Sequence, residues 1–168
     1  LLISHEQLND HDSKEYFADM KSIKDLERVG DLCINLTQFF EAVYDEKDDF
    51  SSEAKDDIIA MINMDIEMLN HAMVAFDKHD LDDIIYVDDH ESNLDYYNKK
   101  AKQRHIQRVT NKTEKSVIVN STYVDILSNL ERIGDHCQNI AESYMLEEET
   151  SNQIMKLILH LINSHGFP

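Results

Sequence analysis

The block Lys24-Asp-Leu-Glu-Arg-Val-Gly-Asp-Leu-Cys-Ile-Asn-Leu36 recurs 104 residues later as Ser128-Asn-Leu-Glu-Arg-Ile-Gly-Asp-His-Cys-Gln-Asn-Ile140, with seven of thirteen positions identical. Both cysteines and two of the three glycines fall at equivalent places. A repeat of this kind points to a duplicated supersecondary unit. The unit is helical. Three Gly and one Pro, the last residue, leave little turn chemistry for a many-stranded sheet, while Leu, Ile, Met, Glu, Lys and Asp fill periodic stretches. With 168 residues the chain has room for one ordinary domain or two very small ones.

The first copy lies in a helix expected from Ser13 to about Tyr44, with Asp12 and Glu15 as a capping pair and a stripe through Ile23, Leu26, Val29, Cys33, Leu36, Phe40 and Val43. After a polar break at Asp45 to Ser52, a second helix, capped by Ser52, carries Ile59, Ile62, Ile66, Leu69, Met73 and Phe76 and ends near His79 and Asp80. A third runs from Leu81 to about Val109, with a stripe of Ile84, Val87, Glu91, Leu94, Asn98 and Ala101 that places a carboxylate toward the core. The fourth, from about Glu114 to Leu146, has the cleanest pattern: Val119, Tyr123, Ile126, Leu130, Ile133, Cys137, Ile140 and Tyr144. Glu147 to Ser151 then breaks the chain before a short apolar helix at about 152–163.

Two helices precede the second copy, but only 23 residues precede the first. The first unit is therefore expected to be truncated, with an apolar face left for the C-terminal helix, a second protomer or absent N-terminal helices to cover. The chain begins Leu1-Leu2, without a Met or a signal-peptide pattern, and reads as part of something longer. The apolar run Ile154 to Ile162 is interrupted by Lys156 and His160 and falls short of the roughly 20 residues of a spanning helix, so no membrane span is expected.

Against 34 acidic residues stand 16 basic ones, a formal charge of -18 that argues against nucleic-acid binding and favours cations or basic surfaces. Cys33 and Cys137 show no CxxC spacing, so neither a disulfide scaffold nor a zinc knuckle is indicated. No Ser/His/Asp array, phosphate-cradling glycine loop or nucleophilic Cys/His spacing is present, and the expectation is a protein without enzymatic activity.

Glu27 and Asp31, Glu91 and Asp95, and Glu131 and Asp135 are each four residues apart, so each pair projects from one helical face. Helices packed at the usual distance of about 8–10 Å would bring the last two pairs together as oxygen donors for hard or borderline cations. Spacing alone does not decide this. A chain this acidic should hold about seven such pairs by chance and holds nine, so a solvated acidic face stays open beside metal binding. His136 and His90 adjoin the pairs, but neither makes the Glu-x-x-His pattern of di-iron oxidase bundles. Gly30 and Gly134 lie inside helices at a cost of about 1 kcal/mol each, which close helix approach or room for an ion would offset. Lys99, Lys100, Lys102, Arg104, Arg108, Lys112 and Lys115 cluster near the end of the third helix, either complementing its dipole or forming a surface for an anionic membrane or acidic partner.

Leu130-Glu-Arg-Ile-Gly-Asp-His-Cys-Gln-Asn-Ile140 resembles the signature of PhoU proteins, and Leu26-Glu-Arg-Val-Gly-Asp31 is similar to its sister copy. The resemblance implies an all-α, PhoU-like fold of antiparallel three-helix bundles: residues 1–46 as the end of a truncated first bundle, 47–147 as a complete second bundle, and 148–168 as an extension. It also implies carboxylate ligands for a multinuclear iron or zinc cluster, with Glu91, Asp95, Glu131 and Asp135 a complete set and Glu27 and Asp31 lacking their partner helix. Leu2 to Ser13 resembles the linker found in PhoU-like tails of sodium/phosphate cotransporters. On that resemblance the chain regulates phosphate uptake at the cytoplasmic side, partnered by a transporter membrane domain in cis or by transporter and sensor proteins. A homodimer, or packing against missing N-terminal helices, is implied as well. The alternative from a different class is a structural dimerisation or adaptor bundle that holds no metal.

Overall fold

The computed structural model describes residues 10–113 and 116–143. Among them are four helices and no strand: α1 (Asp10–Asp45), α2 (Ser52–Lys78), α3 (Leu81–Thr110) and α4 (Val117–Ala141). The all-α expectation is met. The short apolar helix expected at 152–163, the linker resemblance at 2–9 and the stripe position Tyr144 lie outside the described residues.

The helix ends follow from local chemistry. Ser51, Asp80 and Ser116 cap α2, α3 and α4, their side chains accepting the N–H groups of Ala54, Asp82 and Val119. The cap of α2 is thus Ser51 rather than Ser52, and α1 starts at Asp10, ahead of the expected Ser13. Lys47, His79 and Lys112, one in each connection, hold φ between 55° and 58°. With so few glycines, the turns use non-glycine residues in the left-handed region, at about 1 kcal/mol each.

The core centres on α4, which packs against α1, α2 and α3. It buries Tyr123, Ile126, Leu127, Leu130, Ile133, Cys137 and Ile140, so its expected stripe is confirmed through Ile140. Helix α4 runs antiparallel to α1: His136 meets Asp25 at 2.8 Å, whereas Arg132, one turn earlier on α4, lies beside Arg28 to Asn35, further along α1. It also runs antiparallel to α3, pinned by Gln138 donating to Asp88 at 2.8 Å and Lys102 donating to Ser128 at 3.2 Å. The two copies of the repeated block therefore lie side by side in opposite directions. Arg28 and Arg132, equivalent positions, line one shallow cleft of about 270 Å³ between α1 and α4 with Asp31 and Asn35.

At the opposite end, buried Asp57 of α2 ties three helices together. Arg104 donates to it through both Nη2 and Nε, the Tyr123 hydroxyl donates at 2.7 Å, Tyr97 reaches it at 3.4 Å and Arg108 at 3.6 Å. Burial works against its charge, but the two guanidinium groups and the Tyr123 hydroxyl outweigh that and hold its pKa below the ordinary value.

The stripes expected on α1 and α2 are half right. On α1, Val29, Leu36 and Val43 are buried, while Ile23, Leu26, Cys33 and Phe40 are exposed and Ala18, Ser22, Asp25 and Leu32 take the inner face. On α2, Ile62, Leu69 and Phe76 are partly buried, Ile59, Ile66 and Met73 face outward, and Ala54, Ile58, Met61, Asp65, Met68, Ala72 and Ala75 form the core. Each helix has two adjacent apolar lines and buries only one fully. The expected exposed apolar face is therefore present, on α1 and α2. By length and composition α2 is also the described helix that could cross a bilayer, a feature the run at 154–162 had been expected to come nearest to. Its inner face is filled by α3 and α4 and holds two aspartates.

The two repeat glycines differ. A Cβ at Gly134 would clash with Leu94 Cδ2 and stand 3.5 Å from Met68 Cε, whereas among the described residues a Cβ at Gly30 would meet nothing within 4 Å. Close packing explains Gly134 and not Gly30. We predict that Gly134→Ala destabilises the fold by about 1–2 kcal/mol, because buried Leu94 has nowhere to go. Gly30→Ala should stabilise it by about 0.5–1 kcal/mol through helix propensity. Urea unfolding of the two variants checks both signs.

Candidate functional site

Leu94 sits between Glu91 and Asp95 on α3, and Gly134 sits between Glu131 and Asp135 on α4. The Leu94 side chain lies over the notch at Gly134, so the two carboxylate pairs are brought alongside each other in matching register. Their electrostatics reflect it. Burial pushes the half-buried Glu91 carboxyl up to about 7, helped by the charges of Asp95, Asp135, Asp88 and Glu131. Glu131 is raised by burial and then by Asp135 and Asp95, against Lys102 and Arg132. Asp135 is raised by burial and Asp95, against His136 and Arg132. The four side chains lie in one another's field without enough positive charge to balance them.

This is an oxygen-rich donor set of the kind that suits a hard or borderline cation. Among the described residues, however, no three His, Cys, Asp or Glu side chains are arranged so that they could hold one metal ion as they stand. The pairs share a face, but the carboxylates do not converge on a point.

The other expected site residues lie elsewhere. Glu27 and Asp31 are exposed on α1, and Asp31 pairs with Arg28 of its own helix at 3.6 Å. No described interaction links them to the α3–α4 group. His136 is close enough to offset the charge of Asp135, but its Nδ1 is engaged by Asp25. His90 donates from Nδ1 to the Tyr86 carbonyl at 2.8 Å and stacks on the Tyr86 ring, which stacks in turn on His71.

Sequence reading missed Asp65. It points into the core from α2, only 5% exposed, with no hydrogen-bond partner among the described residues for either carboxylate oxygen. Burial raises its pKa to about 8. Its charge adds to burial in raising the Cys33 and Cys137 thiols, Cys137 to about 12. Both cysteines are held as thiols, unsuited to nucleophilic or metal-binding work at neutral pH. Nothing in the pattern singled Asp65 out, since it stands next to Ile66 on the stripe that was expected to be buried.

The PhoU domain model matches residues 58–144, just over half of the chain. The chain belongs to the PhoU domain family. It is similar to the phosphate-specific transport system accessory protein PhoU homolog 1 of Thermotoga maritima, 29% identical over 147 residues that make up 86% of this chain and 60% of that protein. It is also similar to the phosphate-specific transport system accessory protein PhoU homolog of Streptococcus pneumoniae serotype 4, 26% identical over 141 residues, 84% of this chain and 63% of that protein. The chain thus spans less than two thirds of the length of these curated relatives. No solved structure matches it. The span matched to the PhoU domain takes in all four carboxylates of α3 and α4 and leaves Glu27 and Asp31 outside.

The acids with a raised pKa, Asp65 and Glu91 foremost, make stability fall as pH rises. For an acid whose folded pKa is raised, the folded state holds the proton more tightly, so stability is lost between the unfolded and the folded value. For Asp65 that window runs from about pH 4 to about 8, and Asp65→Asn should gain about 1–3 kcal/mol at its upper end and almost nothing at its lower end. Glu91→Gln should gain roughly 1 kcal/mol above about pH 7, the smaller figure reflecting partial solvent screening. Chemical unfolding across pH 4–8 checks both; a gain independent of pH would contradict the assignments.

Proposed function

We propose that this chain is a regulatory, non-enzymatic PhoU domain that acts in phosphate uptake and homeostasis. The observation that carries the reading is the family match over α2–α4, supported by relatives whose names describe accessory proteins of phosphate-specific transport. Its target would be a phosphate transporter at the cytoplasmic side of the membrane, either a sodium-dependent one to which it is fused or a separate one with its sensor. The outward apolar lines of α1 and α2 and the notch at Gly30, which no described residue fills, support further packing on that face, whether by the C-terminal helix, by a second copy or by N-terminal helices of the same bundle.

Within that reading, Glu91, Asp95, Glu131 and Asp135 would hold a metal cluster of iron or zinc. A bound cation would supply the positive charge that their mutual repulsion calls for. Their oxygens fit such an ion in kind, and side-chain rotation would have to close the remaining gap. The lack of a convergent trio favours the second reading, a structural adaptor whose acidic face is only solvated.

Elemental analysis after growth with iron, zinc and manganese separates the two. The metal reading predicts bound metal that is lost in Glu131→Ala/Asp135→Ala, together with a fall in melting temperature relative to the metal-loaded protein. The adaptor reading predicts no metal and unchanged assembly. The regulatory role is checked by phosphate uptake in cells with and without this chain: uptake should become less responsive to external phosphate in its absence, and an unchanged response would oppose the proposal.

A further inference from the structure

Residues 96–113 contain no Asp or Glu and six basic side chains, whereas the rest of the chain holds all 34 acidic residues and ten basic ones. The structure sorts those six into two groups. Arg104 and Arg108 turn toward buried Asp57, and Lys102 reaches Ser128. Lys99 and Lys112 are exposed and Lys100 is half-buried over the Tyr96 ring at 5.3 Å; among the described residues these three make no ion pair. The helix dipole does not explain them. Its field is confined to the last turn, where Arg108 sits, while Lys99 and Lys100 lie two to three turns upstream.

Those lysines share their surface with apolar side chains. Tyr96 is 63% and Ile106 64% exposed, and with Lys99, Lys100 and Gln103 they recur at steps of three and four on the side of α3 opposite buried Leu94, Asn98, Ala101 and His105. Lys112, in the turn that follows α3, and Val117, 83% exposed at the start of α4, come next in the chain as further exposed cationic and apolar side chains. The surface is one convex helix face, cationic and apolar by turns.

We propose that the outward face of α3, extended by Lys112 and Val117, docks this chain on an anionic lipid surface. Lysine ammonium groups would meet lipid phosphates while Tyr96, Ile106 and Val117 enter the headgroup layer. An acidic polypeptide would neutralise the lysines but leave those apolar groups in water. The acidic remainder repels the same bilayer, which fixes one orientation. At physiological salt, where the Debye length is about 8 Å, that distant repulsion is screened more than the contact attraction.

The test is co-sedimentation of the 168-residue chain with vesicles of equimolar phosphatidylglycerol and phosphatidylcholine, against phosphatidylcholine alone, at physiological salt. The chain should pellet with the anionic vesicles and stay in solution with the neutral ones. Each lysine near such a surface is worth about fivefold in partitioning. Lys99→Glu/Lys100→Glu/Lys112→Glu should therefore lower binding by roughly a hundredfold or more, and the neutral Lys→Gln set at the same positions should also lose it while keeping native helicity. Ile106→Ser should weaken binding several-fold without changing its salt dependence. Equal pelleting with both vesicles, undiminished binding of the Gln set, or capture by polyglutamate but not by anionic vesicles would each overturn the proposal.

Discussion

The contact of Leu94 with the missing side chain of Gly134 sets the register of α3 against α4, and much of the molecule depends on it. Because each of these residues sits between the two members of an acidic pair, seating Leu94 in the notch also sets Glu91 and Asp95 beside Glu131 and Asp135. Apolar burial holds together charges that would otherwise separate. The cost appears in the raised pKa of Glu91, Glu131 and Asp135. A group of carboxylates kept near one another against their own repulsion is what a cation could exploit.

Two further acids divide the work of the core differently. Asp57 is fully used, satisfied by Arg104, Tyr123 and Arg108, and it locks the end where α3 finishes and α4 begins. The attraction in such a buried group is largely offset by desolvation, but removing one partner would leave a buried charge uncompensated. Asp65 finds no partner for its oxygens among the described residues and favours the protonated form near neutral pH. One acid serves as an anchor and the other as a destabilising element, and the difference lies in their neighbours.

The buried lines of α3 and α4 were legible because the longest sustained apolar period of each is the one the structure buries. Their stripes, including the inward tilt of Glu91, appear in the structure nearly as periodicity predicts. Helices α1 and α2 carry two adjacent lines, and periodicity cannot say which one meets the rest of this chain. The richer aliphatic members, Ile23, Ile59 and Ile66, face outward, while Ala54, Ala72 and Ala75 face inward because small side chains let α2 approach closely. Nor could pattern separate the two repeat glycines, since only tertiary contact shows that one notch is filled and the other open. The acidic pairs of α3 and α4 were legible as neighbours, but their failure to converge on one point was not.

The direct test of this account is the titration of the Glu91 side-chain carboxyl by carbon NMR in the metal-free protein. The account predicts a midpoint near 7 that falls by part of its shift when Glu131 and Asp135 are made neutral, burial and Asp95 sustaining the remainder. A midpoint at the ordinary value in the unaltered protein, or one indifferent to those neighbours, would mean that α3 and α4 do not hold their acids together.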